Sequence, residues 1–239
     1  MQLKIKNIYK TIGAIKILNN LSLTVTSGEI AILLGKSGAG KTTLLRILND
    51  LETIDQGETT LNDIPLNKYK EKQIGIIFQN FNLFSHLSVI ENITLALIKV
   101  KQINKEDAIK TAITLLKKYN ILEKKNHPIQ SLSGGQKQKI AIIRTLAMQP
   151  KIICFDEPIS ALDPYSTNEV LSFIKELQKE NYIIIMTTHN ISILNQLEST
   201  IHLIENGAIT QSIESNLFFN QNYENKNSYL LYKFINGII

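Results

Sequence analysis

The chain is short of several residue types, and each shortage excludes something. A single cysteine, Cys154, in 239 residues rules out a disulfide framework within the chain and fits a reducing compartment. No apolar run approaches the roughly 18 residues of a membrane span. The opening MQLKIKNIYK lacks the apolar stretch of a secretory signal. Charge is modest at 20%, and the 44% of apolar residues spread along the whole length, which excludes a disordered or collagen-like chain. The expectation is a soluble, cytosolic protein with one sizeable core, or two small ones sharing an interface. Arginine is the scarcest charged residue: Arg46 and Arg144 stand against 24 lysines, beside 40 isoleucines and 23 asparagines. Lys, Ile and Asn share A/T-rich codons, so a biased genome accounts for the composition. Proteins that read nucleic acid favour arginine for bidentate contacts. The lysines here are scattered, so the net charge of +5 makes no case for a nucleic-acid partner.

What is present is strongly patterned. Leu3, Ile5, Leu21, Leu23 and Val25 alternate as in half-buried strands of an antiparallel sheet. Glu29 to Leu34 is a continuous apolar run, suited to a central strand covered on both faces. A glycine loop and the helical LLRILNDL follow, which is the opening of a parallel α/β core. TTLNDI and IGIIF (Ile74 to Phe78) read as further strands. From about Leu87 to Met148 the apolar spacing is helical, predicting a helical subdomain inserted into the core. KIICFDE then predicts a strand, Thr167 to Glu180 a helix capped near Ser166, and YIIIMTTH a buried strand. NISILNQL predicts a short helix, and TIHLIENG a strand closed by Gly207. From about Glu214 the chain turns Asn-rich and polar before ending in SYLLYKFINGII.

The octet Gly35, Lys36, Ser37, Gly38, Ala39, Gly40, Lys41, Thr42 matches G-x-x-x-x-G-K-[ST], between a predicted strand and a predicted helix. Glycines let successive N–H groups turn toward phosphates, and the positive end of the following helix adds to the attraction. Lys41 supplies a compact charge for the β- and γ-phosphates. The Thr42 hydroxyl suits Mg²⁺, which takes a few protein oxygens beside water and phosphate. Asp156 and Glu157 end an apolar strand; one carboxylate there suits the metal and its neighbour an attacking water. In LSGGQ (Leu132 to Gln136), a hydroxyl and free N–H groups at a helix start form a second place for a phosphate. Gln79 and His189 each end a predicted strand; either by itself reads as an ordinary strand terminus or core residue.

Taken in order, the loop ending in Lys41, then Gln79, LSGGQ, FDEP, SALD (Ser160 to Asp163) and His189 resemble an ATP-binding cassette (ABC) ATPase over residues 2 to 212. FQNFNLFSHLSVIEN (Phe78 to Asn92), LSGGQKQK and FDEPISALDP narrow the likeness to the ATPase subunits of bacterial polar amino-acid importers. The resemblance implies an α/β P-loop NTPase core with a mostly parallel sheet, an N-terminal antiparallel β subdomain and the inserted helical subdomain at about 87–148. An ABC ATPase domain over 1–212 would precede a C-terminal extension, 213–239. It implies ATP and Mg²⁺. Lys41, Thr42 and Thr43 would line the phosphates and the metal, with Gln79 and Asp156 completing the metal and water environment. Glu157 would be the general base, His189 the γ-phosphate contact and Asp163 a signal across a dimer. Ser133, Gly134, Gly135 and Gln136 would serve the nucleotide of the opposite chain. The implied partners are a second cassette, most simply an identical one, integral-membrane permease subunits and a solute-binding protein. The chain would then lie peripherally on the cytoplasmic face of the membrane. An ATPase of a lipid or lipoprotein exporter, or a soluble ABC ATPase, is the rival reading. Three positions depart from the family pattern: Ile159 for a threonine, Lys139 for an arginine, and Ile12 where an aromatic residue is expected to stack on adenine.

Overall fold

A computed structural model of the chain describes residues 1–160, 162–220 and 229–237. Ala161 of the SALD motif, most of the Asn-rich stretch and the last two residues lie outside the described residues. The chain begins with β1 (Gln2–Ile12), β2 (Ile15–Thr26) and β3 (Ile30–Leu34), then α1 (Lys41–Leu48). Next come β4 (Gln56–Leu61), β5 (Ile64–Pro65), β6 (Ile74–Ile77) and the helices α2 (Val89–Lys99), α3 (Lys105–Lys118) and α4 (Gly134–Ala147). The remainder is β7 (Ile152–Asp156), α5 (Pro164–Lys179), β8 (Ile183–Thr187), β9 (Thr200–Glu205), β10 (Ala208–Glu214), α6 (Ser215–Asn220) and α7 (Tyr229–Ile235).

The alternation at the N-terminus forms the expected antiparallel pair, with Leu3 opposite Val25 and Ile5 opposite Leu23, all buried. With β4 and β5 these strands make one sheet, ordered β2-β1-β4-β5. Between Ile5 and Ile8 an extra residue bulges out of β1, where Asn7 takes φ 49°. The second sheet runs β10-β9-β3-β8-β7-β6, parallel throughout except for the hairpin partner β10 at its edge. β3, β7 and β8 are buried at every position, as continuous apolar runs require of strands covered on both faces. Their side chains divide between two cores. Ile30, Ile32 and Leu34 join the cluster shared with α2 to α5, while Ala31 and Leu33 join the cluster shared with α1 and the antiparallel sheet. Each fully buried aliphatic side chain there is worth about 1.5–3 kcal/mol.

The inserted segment is helical as expected. Ser88 and Glu91 close a capping box at the start of α2. Ile93 and Leu97 on α2 share one core with Ala108, Ala112 and Leu116 on α3. Phe218 and Leu231, beyond β10, also lie in the larger core. Two local expectations are corrected. The helix predicted from Thr167 starts at Pro164, because Asp163, not Ser166, is its cap: the Asp163 carboxylate accepts from the Ser166 N–H, and proline suits the first helical position. NISILNQL is only a 3₁₀ turn at Ile191–Ile193, with Asn190 accepting from the Ser192 N–H and hydroxyl.

Candidate functional site

The carboxyl ends of β3, β7 and β8 lie side by side, and each delivers one part of a polar cluster. Past β3 the loop from Gly35 to Gly40 leads into α1, whose first residue is Lys41. The ammonium of Lys41 is buried within that loop and donates to the carbonyls of Gly35 at 2.7 Å and Lys36 at 2.9 Å. Burial pulls its pKa below the ordinary lysine value, and the carboxylates of Glu157 and Asp156 act in the opposite direction. Gly40 sits at φ 100°, and a Cβ there would lie 2.6 Å from Leu18 Cδ2 and 2.7 Å from Ile17 O. Only glycine fits, and β2 thereby backs the loop.

β7 ends in Asp156, whose Oδ1 accepts from the Thr42 hydroxyl at 3.1 Å and the Thr187 hydroxyl at 2.7 Å. Glu157 follows at φ 50°, a left-handed conformation that costs a non-glycine residue on the order of 1–3 kcal/mol. Its N–H donates to the hydroxyl and the carbonyl of Thr187, at 3.0 and 3.2 Å, which holds the turn in place. Its carboxylate meets His189 Nε2 at 2.7 Å. Thr187 is the residue that sequence reasoning missed. It bridges Asp156 and Glu157, and only the β7–β8 register, which pairs Asp156 with Thr187, brings it there. Thr42 and Asp156 offer a hydroxyl and a carboxylate oxygen. No group of three or more His, Cys, Asp or Glu able to cage a metal exists among the described residues. That donor set suits Mg²⁺, which keeps several waters and takes phosphate oxygens as its other ligands.

The remaining expected residues stand apart. Gln79 is exposed beyond β6, and among the described residues its side chain bonds to none of Lys41, Thr42 or Asp156. Ser133 caps α4 in a capping box with Gln136: the Gln136 N–H donates to Ser133 Oγ at 3.2 Å, and the Ser133 N–H to Gln136 Oε1 at 3.1 Å. Ser133 and Gly134 are exposed. Gly135 is buried, and a Cβ on it would fall 2.7 Å from Ser166 Oγ, so the starts of α4 and α5 press together. Asp163 at the α5 start takes two bonds from Ser166, which hold its carboxyl below the usual carboxylate range. No hydrogen bond or ion pair among the described residues joins positions 133–136 or Asp163 to the phosphate loop. A cavity of about 500 Å³ runs from Glu157 and His189 to Pro164 and Thr167.

The departures from pattern sit outside these bonds. Ile159 is buried, and Lys139 pairs with Glu169 of α5 at 2.9 Å. Ile12 and Ile15 are exposed on either side of the β1–β2 turn, 49% and 67% accessible, while Tyr9 is half-buried. Cys154 is fully buried, and desolvation pushes its thiol up to about 12, so it is inert. Among the described residues no helix is long and apolar enough to cross a membrane.

Against known proteins, the sequence pattern of the family described as ABC transporter matches residues 18–160. The chain is 38% identical to the glutamine transport ATP-binding protein GlnQ of Geobacillus stearothermophilus, over 95% of this chain and 96% of the relative. It is 39% identical to the arginine transport ATP-binding protein ArtM of Bacillus subtilis, over 91% of this chain and 93% of the relative. Its fold superposes with a TM-score of 0.76 on a dimeric post-hydrolysis state of the ATP-binding cassette MJ0796 bound to ADP and Pi. That pair is 31% identical, with 89% of this chain and 98% of the other covered. Both the span of the family match and the identity with whole relatives lead to one assignment: the chain belongs to the ABC transporter family.

Proposed function

We propose that the chain is the ATP-hydrolysing subunit of a membrane importer for polar amino acids. One observation carries the enzymatic part: Lys41, Thr42, Asp156, Glu157 and His189 meet at the ends of adjacent strands, with Thr42 bonded to Asp156, His189 to Glu157, and Thr187 linking Asp156 to Glu157. The phosphates of ATP enter the loop Gly35 to Thr43. Lys41 exchanges its loop carbonyls for β- and γ-phosphate oxygens, and the N–H groups at the start of α1 face the same charge. Thr42 and Asp156, with Gln79, would hold Mg²⁺, which would supply positive charge against the phosphates. Glu157 takes a proton from the attacking water as its oxygen bonds to the γ-phosphorus and the bond to ADP breaks. His189 fixes the Glu157 carboxylate and reaches the γ-phosphate.

Ser133, Gly134, Gly135 and Gln136 serve the nucleotide of a second copy paired head to tail, and Asp163 reports across that interface. The relative MJ0796, a dimer, supports this arrangement. The names of the glutamine and arginine transport relatives support the amino-acid assignment over a lipid exporter. A groove of about 850 Å³ bordered by Ile74, Phe84, Val100, Arg144 and Met148 suits a cytoplasmic segment of a permease, and in that complex the chain would lie peripherally on the inner face of the membrane. A solute-binding protein completes the importer. Residues 1–212 form the ATPase domain with the helical insert at about 87–148, and 213–239 form a C-terminal extension. Two measurements test the reading. The purified chain hydrolyses ATP, and affinity purification from membranes yields a permease whose transport of glutamine or arginine stops when Glu157 is changed to Gln. A permease for another class of solute would refute the amino-acid part alone.

A further inference from the structure

The chain keeps only two arginines beside 24 lysines, and it carries Lys139 where an arginine was expected. Arg144, in the last turn of α4, makes an interaction that lysine cannot copy. Its Nη1 donates to Asn82 O at 2.7 Å and its Nη2 to Phe81 O at 3.0 Å. A planar guanidinium holds two successive carbonyls at once, whereas an ammonium is a point charge on a flexible stem. The same guanidinium lies 6.0 Å from the centre of the Phe84 ring.

The turn it grips is strained. Phe81 and Asn82 both occupy the left-handed region, at φ 60° and 47°, which asparagine tolerates but which is an outlier for an aromatic residue. The far side of the turn is held by Asn92, fully buried on α2, which accepts from the Phe84 N–H at 2.8 Å. The Asn92 amide also donates to the carbonyls of Phe84 at 3.1 Å and Ser88 at 3.0 Å. Gln79 lies between β6 and this pinned turn, exposed and without a bond that fixes its own side chain among the described residues. The backbone that carries Gln79 is therefore held between β6 and the pinned turn.

We propose that Arg144 is a positioning residue for ATP hydrolysis: by gripping the Phe81 and Asn82 carbonyls it sets Gln79, and it ties Gln79 to α4, the helix that Ser133 caps. The proposal rests on the reading of Gln79 as part of the Mg²⁺ and water environment. Because Arg144 and Phe84 also border the 850 Å³ groove, a segment seated there touches the grip directly.

The test uses the full chain. In Arg144→Lys the Mg²⁺ concentration for half-maximal ATPase activity rises about ten-fold, equivalent to about 1.4 kcal/mol. Metal-free ATP binding in EDTA stays at the wild-type value. Gln79→Ala gives a similar rise alone and adds less than about two-fold to Arg144→Lys, since both act through one group. The chain has no tryptophan, so Phe84→Trp reports on the turn by fluorescence anisotropy, and adding Arg144→Lys lowers that anisotropy. Wild-type Mg²⁺ dependence in Arg144→Lys, full additivity with Gln79→Ala, or an unchanged anisotropy overturns the proposal. If Gln79→Ala itself leaves the Mg²⁺ dependence unchanged, the reading of Gln79 fails, and the anisotropy alone decides whether Arg144 holds the turn. Should the lysine variant not fold, Arg144→Ala is read with and without added guanidinium ion. Restored Mg²⁺ dependence supports the grip, and no restoration overturns it.

Discussion

The face at the ends of β3, β7 and β8 and the face at the starts of α4 and α5 satisfy their polar groups in opposite ways. On the first, partners come from far along the chain: Thr42 with Asp156, Thr187 with Asp156, and His189 with Glu157. On the second, each group finds a partner three residues away, Ser133 with Gln136 and Asp163 with Ser166. A face wired by long-range bonds exists only when the whole sheet is assembled, and it arrives with charges already placed for a nucleotide. A face made of helix caps closes its own hydrogen bonds locally, and leaves Ser133 and Gly134 at the surface even though the starts of α4 and α5 press together. In the proposed function, half of a nucleotide site is built inside this chain and half is displayed to a neighbour.

Substitutions on the first face should cut deepest. Glu157→Gln lowers turnover by about 10²–10⁴-fold, the range for losing a general base, and leaves ATP affinity nearly unchanged. Steady-state kinetics with equilibrium binding checks both, and near-normal turnover would remove Glu157 from the base role. The same face also carries an acid weakness. His202 on β9 is opposite Leu33 of β3, just ahead of the phosphate loop, and burial lowers its pKa to about 4 from 6.5. The unfolded chain therefore takes up this proton first, so stability is full above pH 6.5 and is lost as pH falls toward 4, by about 3 kcal/mol. Urea unfolding at both ends of that window, for wild type and His202→Gln, should give a smaller loss in the variant; equal losses would contradict it. Lys41→Met should weaken ATP binding about ten- to hundred-fold, as expected for losing charged hydrogen bonds of about 1.5–3 kcal/mol. Isothermal titration would expose an error if affinity held. Ile12→Tyr is the mildest change: by analogy with base stacking it tightens ATP binding about ten-fold and sharpens discrimination against GTP. Competition binding decides, and unchanged affinity together with a loss in Tyr9→Ala would move the base contact to Tyr9.

The contrast between the faces also explains what could be read from the chain unfolded. β3, β7 and β8 were legible because burial on both faces writes an unbroken apolar run, and the phosphate loop because its glycines and Lys41 lie within eight positions. The capping Ser133 was legible for the same local reason. Thr187 was not, since it enters the cluster only through pairing of β7 with β8, thirty residues apart in sequence. β10 went unread although Asn206-Gly207, both at positive φ, is a strong hairpin signal before it. The asparagines show a further limit. Seven of the thirteen non-glycine residues with positive φ among the described residues are asparagine, including Asn7, Asn82 and Asn206. A composition that codon bias accounts for is thus put to structural use, because asparagine tolerates the left-handed region better than other side chains.

The most direct test of the two-half account is the oligomeric state of Glu157→Gln with ATP and Mg²⁺, measured by size-exclusion chromatography with light scattering, with and without Ser133→Arg. The account predicts a stable dimer for Glu157→Gln, and a monomer that still binds ATP once Ser133→Arg blocks the displayed face. A double variant that dimerises as well as Glu157→Gln, or a Ser133→Arg monomer that no longer binds ATP, would contradict it.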